Sequence, residues 1–261
     1  MSALDNPDVE LCNEGFRLWQ SGDLEAGLEL TRKAAFNGQP NAISNYNWHL
    51  LLVGRFEEAI SFTEKLVPVA IKWIEDEEKR LSKKWGLSKN DKAMFINGYL
   101  FQIYNMQSNA AIAYLATGNE KEALELWDEA ASKSGHLEAR FYPIFHQGQK
   151  SPELMLRLLS KEFSKDEVLD LLNTMIDVSK TASGWFATWA KEGLKILQQA
   201  YKKSVPVDNV GGISNVAASS AATLGAGYVG SKLAREYMQN EIQDSSEVEE
   251  GAFDWLGDFF S

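Results

Sequence analysis

The chain has 261 residues, 44% of them hydrophobic, with one cysteine and a formal net charge of −11. That apolar content excludes global disorder. A single cysteine excludes an internal disulfide and a thiolate zinc site, and the acidity disfavours a nucleic-acid partner, which needs clustered Lys and Arg. The charge is uneven: Glu236 to Ser261 holds eight acidic residues and no Lys or Arg, which leaves −3 for everything before it.

Met1 to Glu10 is polar and acidic, with no basic stretch ahead of an apolar one, so no secretory leader is expected. Cys12 lies in an apolar helical stretch and reads as a small buried packer in a reducing cytosol rather than as a nucleophile. Three turns then share one pattern: Gly22-Asp23-Leu24-Glu25-Ala26-Gly27-Leu28, Gly54-Arg55-Phe56-Glu57-Glu58-Ala59-Ile60 and Gly118-Asn119-Glu120-Lys121-Glu122-Ala123-Leu124. Their first glycines are 32 and then 64 residues apart, a period and its double. A fixed period in the thirties marks stacked helical hairpins, each burying its apolar face against its neighbours. Such a surface suits binding better than catalysis.

Around each turn the apolar residues keep helical spacing: Gly15, Leu18 and Trp19 before Gly22, Leu50 and Leu51 before Gly54, Ala111, Tyr114 and Leu115 before Gly118. The small residue five places after each glycine (Gly27, Ala59, Ala123) lets two helices cross closely. Pro40 and Pro68 fall where a second helix should end. A charged and aromatic insert follows, read as one helix over Val69–Trp85 and another over Asn90–Gln107, joined at Gly86. Its basic run, Lys79, Arg80, Lys83, Lys84, Lys89 and Lys92, is interleaved with acids and reads as a solvated face.

Further helices are expected at Leu137–Gln147, Pro152–Phe163, Lys165–Ser179 and Ser183–Lys203, with Ser151 and Ser164 as helix starts. No stretch alternates with period two, so the fold class expected is all-α. Composition changes at Val205-Pro206. Residues 205–235 form a Gly/Ala/Ser-rich tether or small-residue helix, and 236–261 an acidic tail carrying Phe253, Trp255, Leu256, Phe259 and Phe260.

Gly15, Leu18, Gly22-Asp23, Gly27, Ala34 and Pro40, and better still Ala111, Tyr114, Gly118-Asn119, Ala123, Trp127 and Ala130, resemble the tetratricopeptide repeat. The resemblance covers residues 8–135, with the insert at about 69–107. It departs from the family pattern at Asn47, in place of a small residue, and at Leu66, in place of the closing alanine. It implies a helical-hairpin solenoid, extended by the helices of 136–204, that binds a protein or peptide on the concave face of its first helices. Carried over by position, the contact residues are Phe16, Trp19, Gln20, Trp48, Leu51, Asn105, Ser108 and Ile112. The Lys, Arg and Asn set that clamps a C-terminal carboxylate is missing, so acidic chaperone tails are not the implied ligand.

The expected function is therefore that of a non-enzymatic, cytoplasmic scaffold or adaptor. Its acidic aromatic tail would serve as a docking motif or as an autoinhibitory cap. Two other readings compete. Gly225-Ala226-Gly227-Tyr228-Val229-Gly230 is a literal dinucleotide fingerprint, but an Ala/Ser stretch precedes it where a strand is required, and too little chain follows for a nucleotide fold. Residues 209–231 carry no charge, yet their Ser, Thr and Asn make membrane insertion marginal. His49, His136 and His146 are too scattered for a metal site. No catalytic residue, cofactor or metal is expected.

Overall fold

The structure is a computed structural model that describes residues 6–204 apart from Gly22 and Trp85. Both the Gly/Ala/Ser-rich segment and the acidic aromatic tail lie outside the described residues. Those residues form ten helices and no strand: α1 (Pro7–Gln20), α2 (Leu24–Phe36), α3 (Pro40–Leu52), α4 (Phe56–Ser82), α5 (Lys89–Ala116), α6 (Glu120–Ser134), α7 (Leu137–Gly148), α8 (Pro152–Glu162), α9 (Lys165–Thr181) and α10 (Gly184–Ser204). The all-α reading holds. The described chain falls into two compact units, one running to Ala139 and the other beginning at Arg140.

In the first unit the recurring glycine is a helix stop. Gly54 (φ 76°) and Gly118 (φ 87°) occupy the left-handed region, which costs glycine nothing. The following N–H groups reach back to the helix end: Arg55 donates to the Leu50 carbonyl at 2.8 Å and Asn119 to that of Tyr114 at 2.8 Å. Gly54 and Gly118 donate to the Leu51 and Leu115 carbonyls at 3.0 and 3.1 Å. These paired bonds satisfy carbonyls that the helix leaves open and turn the chain back on itself. Asp23 makes the matching bond to the Leu18 carbonyl at 2.9 Å, and Gly38 (φ 94°) closes α2 in the same way. Caps start the next helices. The Asp23 carboxylate accepts the Ala26 N–H, and Ser88 and Asp91 cap α5 reciprocally.

The hairpins α1/α2, α3/α4 and α5/α6 each pack as pairs, and their crossings are tight. A methyl group added at Gly27 would lie 2.7 Å from the Gly15 carbonyl oxygen and 2.8 Å from the Trp19 nitrogen. One added at Gly15 would meet Thr31 Oγ1 at 2.6 Å. In the second hairpin Asn47 stands where Gly15 stood, and the structure shows what it does there. Its Nδ2 donates to the Ala59 carbonyl at 3.0 Å and to Thr63 Oγ1 at 2.5 Å, from a fully buried position. Thr31 and Thr63, 32 residues apart, both donate to the carbonyl four residues back, of Gly27 and Ala59. The third hairpin uses fully buried Ala111, Ala123 and Trp127, whose indole N–H donates to the Ser108 carbonyl at 3.1 Å.

Pro68 does not end a helix. α4 runs unbroken from Phe56 to Ser82 through it, so the helix expected from Val69 is the second half of α4. A mid-helix proline costs about 3 kcal/mol. Here its ring is exposed while Leu66, Ala70 and Ile74 stay buried on both sides of it, which offsets that cost. α5 likewise extends from Lys89 to Ala116, beyond the expected end at Gln107, and so supplies the first helix of the third hairpin. The long arms of α4 and α5 pack together, with Trp73 edge-on to Tyr99 at 5.0 Å. The start of α1 is fastened to the same arm. Asn6 donates to buried Glu77 at 3.0 Å, Trp73 Nε1 to Asp8 at 3.2 Å, and Arg80 grips Glu77 through two bonds of 2.6 and 2.7 Å.

In the second unit α8 and α9 each pack on α10, close to the expected spans. Its core is aromatic: Phe141, Phe145, Phe163, Phe186 and Trp189 are all buried. Phe145 meets Trp189 edge-on at 5.2 Å. Arg140 lies over the Phe163 ring at 4.8 Å and donates to the Glu162 carbonyl. Gly193 allows α10 to approach this core, since a methyl group there would fall 2.2 Å from the Phe145 ring.

Replacing Gly27 by alanine should destabilise the first unit by roughly 1–3 kcal/mol, because backbone atoms cannot move aside as a flexible side chain can. Alanine is the better helix former by about 1 kcal/mol, so a net loss in urea unfolding isolates the crossing. A neutral or stabilised variant would show that the two helices do not touch there.

Candidate functional site

The surface expected to bind a partner is carried by the first helices of the hairpins, α1, α3 and α5. Phe16, Trp19, Trp48 and Asn105 are half-buried. Leu51, Ser108 and Ile112 have no exposed surface at all and act as packing residues. Gln20 closes α1. Phe253, Trp255, Leu256, Phe259 and Phe260 lie outside the described residues, as do the G-x-G-x-x-G and the uncharged stretch 209–231.

The sealed residues are explained by how α5 is placed. It packs against α3 as well as α4 and α6, and the facing sides of α3 and α5 are joined by amides. Asn105 Nδ2 donates to Ser44 Oγ at 2.8 Å and to Gln102 Oε1 at 3.3 Å. Ser44, Gln102, Ser108 and Asn109 are all buried. A partner cannot reach this seam without parting the helices. Ser44 and Gln102 were not among the expected residues, yet the period points at one of them: Cys12, Ser44 and Ser108 are separated by 32 and 64 residues, a small residue at the same place in each first helix. Gln102 has no such signal.

Half-buried aromatics lie on both α1 and α3. Trp19 lies against the imidazole of His49, with ring centroids 3.7 Å apart at an angle of 34°. Burial holds the His49 pKa down to about 4, and its Nδ1 has no hydrogen-bond partner among the described residues. The ring is therefore neutral at pH 7 and presents an apolar face to Trp19. Cys12 is buried as well, and burial pushes its thiol up to about 12. It stays protonated at neutral pH, a poor nucleophile. Among the described residues no three His, Cys, Asp or Glu side chains come together as a metal site, and no helix is long and apolar enough to cross a membrane. In the basic run, Lys79 and Arg80 are paired with Asp76 and Glu77, and Lys92 donates to the Ser82 carbonyl.

An unfolded histidine titrates near 6.5, so below that pH the unfolded chain takes up a proton that the folded chain refuses until about pH 4. The contribution of neutral His49 is thus fully present above pH 6.5 and is lost as pH falls through this window, by up to about 3 kcal/mol. The His49→Phe variant should have a flatter stability profile between pH 7 and 4. Identical slopes for variant and parent in urea titrations would mean that His49 is solvated.

No protein-family model matches the chain, and no curated protein sequence does so with significance.

Proposed function

We propose that this protein is a non-enzymatic scaffold or adaptor of the tetratricopeptide type, working in the cytoplasm, that holds a protein or peptide on its helical hairpins. The observation that carries the reading is the repetition itself. The same backbone bond, from the residue after the turn to the carbonyl five places back, closes α1, α3 and α5, and a small or backbone-bonding residue marks the crossing at a 32-residue period and its double. Repetition of this kind creates an extended surface without requiring a catalytic cavity. On that surface Phe16, Trp19 and Trp48 are rigid aromatics with part of their area still open. Aromatics of this kind anchor partners at low entropic cost. The acidic aromatic tail adds a second recognition element by its composition alone.

The test is capture from native lysate by three baits: the full chain, the Phe16→Ala/Trp48→Ala double variant, and the 1–204 fragment. Partners held by the full chain and the fragment but lost from a double variant that melts normally would support recognition on α1 and α3. Loss only from the fragment would move recognition to 236–261. If all three baits retain the same proteins, neither element is the binding site and the reading fails.

A further inference from the structure

Away from the first helices, the end of α2 and the middle of α4 carry exposed apolar residues with cations nearby. Phe36, the last residue of α2, is 56% exposed, and Val69 on α4 is 38% exposed. The two belong to one surface. The Phe36 ring meets Phe62 of α4 edge-on at 5.8 Å, and Gly38, two residues after Phe36, lies against Val69 two turns further along α4. A methyl group at Gly38 would fall 3.0 Å from the Val69 side chain.

The rim is basic. The Arg32 guanidinium lies 5.7 Å from the Phe36 ring centroid, and Lys33 is on the same turn of α2. Lys65 and Lys72 follow one another along α4 on either side of Val69, both exposed. Glu29 pairs with Arg32 at 3.0 Å and with Lys33 at 3.6 Å. Lys65 and Lys72 have no ion-pair partner among the described residues. A peptide that brings aromatics and carboxylates together would match both components.

The chain contains one such peptide. Phe253-Asp254-Trp255-Leu256-Gly257-Asp258-Phe259-Phe260 places four aromatics and two aspartates in eight residues, at the end of a segment with eight acids and no Lys or Arg. We propose that the Phe36–Val69 patch is the docking site of this C-terminal segment, its aromatic side chains covering Phe36 and Val69 and its carboxylates facing Lys65 and Lys72. The chain between Ser204 and Phe253 can span on the order of 160 Å at about 3.3 Å per residue, so reach does not limit the contact. Covalent linkage also raises the effective concentration, so an intrinsically weak contact is well occupied. The proposal rests on the reading of the tail as a docking element and specifies where it goes.

The experiment uses the full chain with Ser261→Cys carrying a nitroxide. Buried Cys12 does not compete for the label. The expected result is selective loss of the Val69 methyl and Phe36 amide NMR signals, with the exposed Met94 methyl retained. Reversing the rim charges with Lys65→Glu and Lys72→Glu should restore both signals, and these exposed positions leave the core untouched. No selective loss, or a loss that survives charge reversal, overturns the proposal. Loss seen only when a labelled chain is mixed with an isotope-enriched unlabelled one would assign the contact to a second copy and overturn the intramolecular form. Retention of partner capture on Phe16 and Trp48 alongside a negative result here would mean that this site is wrong while the scaffold reading stands.

Discussion

Two helices can cross at backbone contact only where neither brings a side chain to the crossing point, and the first unit is organised around that restriction. At Gly15 and Gly27 the two backbones are so close that a single methyl group on either would overlap the other. This contact sets the separation of α1 and α2, and so decides which later residues on each helix can meet. Thr31 then turns its hydroxyl back onto the Gly27 carbonyl at 2.8 Å, keeping a polar atom satisfied at the most buried part of the interface. Dispersion contacts at such short range are individually small, but a close crossing multiplies them over two turns of each helix.

Asn47 shows how a side chain can occupy a crossing position without prising the helices apart. Its amide is spent on the backbone of the facing helix, so steric bulk is exchanged for hydrogen bonds to Ala59 and Thr63. Asn105 and Asn109 do related work between α3 and α5, both bonding to Ser44. Directional bonds of this kind fix register, which apolar contacts alone leave loose. The consequence for function is direct. Side chains engaged in this seam are committed to the fold, and the face between α3 and α5 is closed for that reason.

Much of this was legible from residue pattern. Glycine followed by Arg or Asn located the helix stops at Gly54 and Gly118, because a left-handed residue at a helix end is a local requirement. Ser164 three residues before Glu167 located the start of α9 through an equally local cap. Non-local facts were harder. Pro68 carries a local signal to stop, and it is overridden by apolar burial on either side of it along α4. Leu51, Ser108 and Ile112 sit at positions that line an open groove only if neighbouring first helices splay apart. Here Asn105 and Ser44 hold α3 and α5 together, a contact between residues 61 apart that no local rule encodes. The aromatic core of the second unit has no period, so only its helix spans could be read.

The distribution of commitment across the surface then narrows where recognition can occur. Several exposed charges in the first unit are paired with neighbours one turn away, as Glu29 is with Arg32 and Lys33, or Asp76 with Lys79. Such pairs add little stability, but they do quench the local field. Lys65 and Lys72 are not quenched, and Phe36 and Val69 between them and α2 are not covered. Exposed apolar residues scattered singly mean nothing. An aromatic and an aliphatic residue on adjoining helices, flanked by unpaired cations, form a combination that neither solubility nor folding calls for. On the first helices Phe16 and Trp48 are half-buried aromatics, and Trp19 lies against His49. Under the proposed scaffold reading, second helices held as firmly as the first would offer a second face to a chemically different segment.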